Sequence, residues 1–306
     1  METRKIGSLD VSVVGLGCNN FGGRIDADAT KSVIDASLDA GINFFDTADI
    51  YGDAKSEEFL GHVLGIRRDQ VIVATKFGSP VNDAMLGGAK PEYIRRAVED
   101  SLRRLNTDRI DLYQLHLPDY TTPIADTLGS LNELVQAGKV REIGCSNFSA
   151  AQLREASAAA LQGAAHFVSV QNNYSLLKRD PEAEVLPECE KLGIAFLPYF
   201  PLASGLLTGK YRQGRPLPEG ARIKADNIFS DRLTDKNLDI VEKLIVFAEA
   251  RGHTILELAF SWLLTRKSVA SVIAGATKPE QIAKNTTAAD WRLTGDDLNQ
   301  IDTILA

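Results

Sequence analysis

The chain has 306 residues, 44% of them hydrophobic, with a formal net charge of -7 and a pI near 5.3. That length supports a full core, either as two small domains or as one barrel, while the acid excess offers no field for nucleic acid or anionic lipid. The opening "METRKIGSLDVSVVG" lacks a charged segment followed by a long apolar one. Residues 156–177 carry no formal charge but are broken by Gln162, His166, Gln171, Asn172 and Asn173, so no membrane span is expected. Cys18, Cys145 and Cys189 are odd in number and far apart, which fits a reducing, cytoplasmic setting. No His-x-x-x-His or Cys-x-x-Cys spacing occurs, so metal chemistry is not expected.

In chain order, "RKIGSLDVSV" reads as an N-terminal hairpin around the turn-forming "GSLD". Eight units follow, each a β-branched or aromatic run and then a segment of helical period. They begin at "VVGLGC", "INFFDTA", "VIVATKFG", "IDLYQLH", "REIGCSN", "FVSVQNNY", "IAFLPYFPL" and "SVIAGA". Runs of this kind predict strands buried on both faces. Eight right-handed crossovers close most economically into a (β/α)8 barrel, with a doubly wound open sheet as the alternative. The expected domain is a single α/β TIM barrel over residues 1–306. Extra helices are expected at Asp235 to Arg251 and, after "TGDD", near the C-terminus. A Gly- and Pro-rich stretch from Ala203 to Leu233 reads as a long functional loop. In "RRAVEDSLRRL", Glu99 and Asp100 are expected to pair with Arg103 and Arg104 at i,i+4, leaving no basic patch.

Chemistry in such a barrel lies at the C-terminal face of the strands. Asp46 ends the second strand, Tyr51 lies in the loop behind it, Lys76 ends the third and His116 the fourth. A phenol releases its proton reluctantly, with a pKa of about 10, and an adjacent ammonium favours the phenolate. Lys76 is therefore expected to assist Tyr51, Asp46 to hold Lys76, and His116 to bond the reacting oxygen. Each residue alone fits an ordinary role in a turn, the core or solvent; their coincidence on one face points to proton transfer.

The sequence resembles the aldo-keto reductase superfamily along nearly its whole length. The resemblance is carried by "DTADIYG", "VIVATKFG", "DLYQLHLPD", "REIGCSNFS", "SVQNNYSLL", "PYFPLASGLLTGKY" and "IAGATKPEQIAKNTTA". It implies an oxidoreductase in which Tyr51 is the general acid/base, Lys76 and Asp46 tune it, and His116 orients a carbonyl. It further implies cofactor contacts at Gly17, Cys18, Asn19 and Asp46. Ser146, Asn147 and Gln171 are placed around the nicotinamide carboxamide, and Tyr199 against the ring. Phe200, Pro201, Leu202 and Lys210 follow in the seventh loop, with Gly275, Thr277, Lys278, Gln281 and Asn285 toward the adenine. Cys18, near the hydride, is a candidate for oxidation.

The hydride source is expected to be NADPH. "GLGCNNFGG" has Asn20 where a third glycine would complete a dinucleotide fingerprint, so no Rossmann half is expected. "GATKPEQIAKN" reads as a helix start with Thr277 and Glu280 in a capping box, and Lys278 adds positive charge at that anion-binding end. A lysine there, rather than a carboxylate, favours a 2'-phosphate. Ala274 and Lys284 depart from the family pattern, where many members have proline and an acidic residue. Phe21, Phe77, Met85, Leu117 and Tyr120 are expected to form an apolar pocket for a small carbonyl or alcohol substrate. The alternative is a cofactor-binding regulatory module, since channel beta subunits in the superfamily resemble these enzymes; no obligate protein partner is evident in the motifs.

Overall fold

A computed structural model describes residues 1–79, 87–218, 221–223 and 229–306. The chain opens with an antiparallel pair, β1 (Thr3–Ile6) and β2 (Leu9–Ser12), turned at Gly7 and Ser8. Gly7 has φ 54°, a left-handed turn position at which a Cβ would also strike the Glu142 carboxylate.

Strands β3 (Val14–Gly17), β4 (Phe44–Asp46), β5 (Ile72–Phe77), β6 (Ile110–Leu115), β7 (Val140–Ser146), β8 (Phe167–Asn173), β9 (Ala195–Tyr199) and β10 (Val272–Gly275) follow. Among the described residues they form one parallel sheet in the order β10-β3-β4-β5-β6-β7-β8-β9. Between them run α1 (Ala27–Asp39), α2 (Lys55–Leu64), α3 (Pro91–Leu105), α4 (Ile124–Gln136), α5 (Ala150–Ala159) and α6 (Val185–Leu192). α7 (Asp235–Glu249) precedes α8 (Ile255–Leu264), then come α9 (Pro279–Thr287) and α10 (Gly295–Leu305). The expected (β/α)8 barrel and its additions are present. The ring closes where Phe196 of β9 brackets the segment before β10, giving its N–H to Ser268 O (2.6 Å) and accepting from Ala270 N (3.1 Å).

Two apolar cores follow from the period-two alternation of strands. Phe44, Ile72, Ala74, Leu112, Ala195, Leu197 and Ile273 fill the barrel interior, and hairpin residues Ile6, Leu9 and Val11 join them. The hairpin thus plugs the end at which the strands begin. Phe45, Val73, Phe77, Tyr113 and Phe196 point outward into the larger core against the helices. Following the inner series upward carries Phe44 to Asp46, Ala74 to Lys76 and Leu112 through Gln114 to His116. The same alternation that packs the core therefore aims polar groups inward at the top.

Three expectations need correction. The stretch from Ala203 is not structureless at its start: Ala203–Thr208 holds short 3₁₀ turns joined across a kink at Ser204 and Gly205, and Ala203 N bonds Phe200 O at 2.8 Å. Backbone polar groups near the barrel mouth find local partners this way. On α3, Arg103 pairs with Asp100 at i,i+3, Glu99 with Lys139, and Arg104 with Glu57 at 2.6 Å. Arg104 turns inward because Glu57 on α2 is fully buried and requires a counter-charge.

Candidate active site

The strand ends surround a cavity of about 610 Å³. On its floor Lys76 is fully buried, with Nζ 2.7 Å from Asp46 Oδ2 and 2.9 Å from Thr47 O. The other oxygen of Asp46 accepts from Gln171 Nε2 (2.8 Å) and Gln114 Nε2 (3.2 Å). The buried carboxylate is thus paired and hydrogen-bonded on both sides, as a charge out of water must be. Lys76 Nζ also lies 5.1 Å from the Tyr51 ring centroid, close enough to act on its hydroxyl electrostatically. Tyr51 in turn meets His116 edge to face at 6.1 Å, and both open onto the cavity.

The electrostatics correct one expectation. Burial raises the Tyr51 pKa and outweighs the opposing pull of Lys76, so the phenol is held protonated rather than pre-ionised. Burial acts against the Lys76 ammonium, but Asp46 and Tyr51 together carry its pKa above the ordinary value. Burial, reinforced by Lys76, lowers His116 to about 3, so its imidazole is neutral. Its buried Nδ1 has no hydrogen-bond partner among the described residues.

The remaining expected residues fall along this cavity with one further exception. Gly17, Cys18 and Asn19 line it after β3. Ser146, Asn147 and Gln171 line it after β7 and β8, with Ser146 Oγ donating to Gln171 O at 2.7 Å. Tyr199, Phe200, Pro201, Leu202 and Lys210 form another wall, and Gly275, Thr277, Gln281 and Asn285 the far end. A Cβ on Gly275, at the end of β10, would lie 2.9 Å from Asn20 Nδ2, so a larger residue there would have to displace the amide that bonds Ala276 O.

Lys278 is exposed and does not line the cavity; Lys284, one turn and a half further along α9, does. The expected Thr277–Glu280 capping box does not form, and only its reach-back half is made, by Gln281. Pro279 takes the first helical position, so the N-cap is residue 278 and its N3 partner is Gln281, not Glu280. Gln281 Oε1 accepts from Thr277 N at 2.7 Å and Lys278 N at 3.3 Å. Arg24 and Arg222, not singled out in the sequence, also line the cavity. Burial lowers the Lys210 pKa, and Arg24 and Arg222 add to it, which brings the three cations within Coulombic range. Arg232 lies 4.6 Å from the Phe200 ring centroid and bonds Ser204 Oγ at 2.7 Å.

The apolar set is also revised. Phe21 and Phe77 are fully buried core residues, Phe77 stacking on Tyr113 at 4.6 Å. Tyr120 is 88% exposed, Leu117 lines the cavity, and Met85 lies outside the described residues. Cys18 is buried with its thiol pKa pushed up by burial, which opposes the thiolate that oxidation requires. No cluster suited to a metal ion occurs among the described residues, and none of their helices is long and apolar enough to cross a membrane.

A barrel whose strand ends join a buried ammonium–carboxylate pair, a phenol and a neutral imidazole is built for chemistry on a small oxygenated substrate. The Aldo/keto reductase family model matches residues 13–306, and the chain belongs to that family. Aldo-keto reductase YhdN of Bacillus subtilis (strain 168) is 35% identical over 305 residues, spanning 97% of this chain and 91% of the relative. A probable voltage-gated potassium channel subunit beta of Oryza sativa subsp. japonica is 36% identical, over 88% of this chain and 84% of the relative. The solved glycerol dehydrogenase AKR11B4 of Gluconobacter oxydans superposes with a TM-score of 0.86 at 32% identity, covering 100% of this chain and 95% of the other. Carbonyl oxidoreduction with a small-molecule substrate is the activity this membership supports, and members generally use a nicotinamide dinucleotide.

Proposed function

We propose that the chain is an NADPH-dependent reductase of aldehydes or ketones, reversible to alcohol oxidation, with Tyr51 as proton donor. The carrying observation is the buried Lys76, fixed at 2.7 Å by Asp46 and set 5.1 Å from the ring of Tyr51, which shares the cavity with His116. The cavity fits a dinucleotide. Ser146, Asn147 and Gln171 bring amide and hydroxyl groups to its lining, and Arg24, Lys210, Arg222 and Lys284 supply positive charge.

Ser146 and Gln171 would hold the carboxamide, Tyr199 the ring face, and Lys210, Arg24 and Arg222 the phosphates. Thr277, Gln281, Lys284 and Asn285 would hold the adenosine end. A bound dinucleotide supplies the hydride. Protein groups do the rest. His116, neutral, offers one N–H to the substrate oxygen, and Tyr51 delivers its proton to that oxygen. Lys76 stabilises the phenolate left behind, while Asp46 keeps the ammonium charged and aimed. Burial that keeps Tyr51 protonated at rest suits an acid, and the ammonium acts at the moment charge develops. The preference for NADPH rests on the lysine at position 284 of the adenosine end.

The test is the loss of reduced-nicotinamide absorbance across aldehydes, ketones and sugars, with NADPH and NADH, for wild type and Tyr51→Phe. Loss of general-acid assistance should lower kcat by about 10²- to 10⁴-fold while NADPH affinity is retained. Equal turnover in the two proteins rejects Tyr51 as donor. The rice relative's name supports a second reading, a cofactor-occupied regulatory subunit. Tight NADPH binding with no turnover on any substrate would favour that reading.

A further inference from the structure

Asn147 stands just beyond β7 with φ 62°, the left-handed region that asparagine tolerates better than other side-chain-bearing residues. Its backbone N–H bonds Gln171 O at 3.0 Å, and its side chain is used from both ends. Oδ1 accepts the Tyr199 hydroxyl at 2.8 Å; Nδ2 donates to His116 O at 3.0 Å and Ser146 Oγ at 3.1 Å. The amide orientation is fixed by its neighbours. His116 O is an acceptor, and Ser146 Oγ has already given its proton to Gln171 O, so both face the NH₂ group. The tyrosine hydroxyl is left to donate to the amide oxygen.

We propose that Asn147 is a bracket joining the Tyr199 hydroxyl to the His116 backbone, so that the nicotinamide platform and the substrate-orienting imidazole keep one fixed separation. The inference rests on the functional reading above, which seats the nicotinamide on Tyr199. It adds a positioning part to the carboxamide contact that the sequence leads one to expect of Asn147. Both amide hydrogens go to protein acceptors and one oxygen lone pair to Tyr199, so Asn147 ties the two walls together while its second lone pair stays open to a carboxamide N–H. The bonds connect the ends of β6, β7 and β9, and Ser146 extends them to β8. A phenylalanine at 199 would keep the ring surface and lose only this tie. Hydride transfer is sensitive to separation and angle, so a platform free to rock against His116 spends less time in a reactive geometry.

Two readouts test the bracket, one of which needs no reaction. In the free protein the Asn147 side-chain amide resonance, assigned by its absence in Asn147→Gly, should exchange with solvent about tenfold faster in Tyr199→Phe. Equal exchange rates overturn the bracket whatever the enzyme does. In single turnover with NADPH, Tyr199→Phe should slow hydride transfer about 5- to 10-fold, with nucleotide affinity changed by less than about 3-fold. Glycine accepts the left-handed backbone at 147, so Asn147→Gly removes the amide without straining the turn. The double variant should then be no slower than Asn147→Gly alone. Additive losses, or an unchanged rate in Tyr199→Phe, reject the proposal. Altered exchange together with a wild type inactive on every carbonyl would instead remove the functional reading and leave the tie itself standing.

Discussion

The two ends of the cavity are built differently. At the catalytic end Asp46 and Lys76 are strand residues, almost without exposure, locked by four bonds no longer than 3.2 Å. Along the rest of the cavity the cations sit on loops and on one helix: Arg24 after β3, Lys210 and Arg222 in the long connection, Lys284 on α9. The first end is rigid because its charges cannot reach water and must satisfy one another. The second keeps its charges where an arriving anion can meet them.

The sharpest way to break this contrast is at Lys76. Lys76→Met leaves Asp46 buried with amide partners only, and removal of one member of a buried pair costs about 3–5 kcal/mol. Urea denaturation should show that loss together with a collapse of turnover. A near-wild-type midpoint would mean that the floor is not prestressed by its charges. Lys284→Ala, in contrast, should leave the midpoint within about 0.5 kcal/mol, as exposed substitutions do.

An intermediate effect is expected at Asp49, which is buried in the loop between Asp46 and Tyr51. Burial, with Glu57 nearby, raises its pKa to about 7 from an ordinary 3.8. The folded state therefore holds a proton there that the unfolded chain has already released between about pH 4 and 7. The stability that this proton carries is full below pH 4 and is lost as pH rises through 7. Asp49→Asn should accordingly gain on the wild type by about 2–3 kcal/mol on passing from pH 5 to 8. His116 opposes this in the wild type: its pKa of about 3 means that stability falls as pH drops below about 6.5, where only the unfolded chain takes up the proton. Parallel stability profiles for wild type and Asp49→Asn from pH 5 to 8 would count against an ionisable Asp49.

The smallest effect belongs to the cationic end. Lys284→Glu should weaken NADPH about 5- to 10-fold more than NADH, and less so at high salt, while Lys278→Glu changes the ratio little. A larger change from Lys278 would return the 2'-phosphate contact to the residue favoured by sequence.

The same contrast explains what the sequence disclosed. Asp46, Lys76 and His116 continue a two-residue alternation that begins in core residues Phe44, Ala74 and Leu112, so strand register alone carries them to one face. Arg24 and Arg222 follow no period. Their approach depends on how long loops fold back, which composition does not encode. The helix α9 shows the finer limit: "TKPEQ" offers Thr277–Glu280 and Lys278–Gln281 as competing frames, and the choice falls to the backbone position that Pro279 fixes. The pairing of Arg104 is hidden for a related reason, because its partner Glu57 is remote in sequence and is brought to it by tertiary packing.

The barrel also has a seam. Among the described residues the backbone hydrogen bonds between β9 and the segment leading to β10 are those of Phe196 with 268–270, whereas pairs such as β6–β7 and β8–β9 share ladders along their length. Tyr199 to Leu202 stand above one lip of that seam, and Gly275 to Asn285 above the other. Under the proposed function, a dinucleotide lying between them would be a stitch across the join that the backbone leaves most lightly sewn. Binding there would then raise the barrel's resistance to unfolding in step with the cofactor concentration.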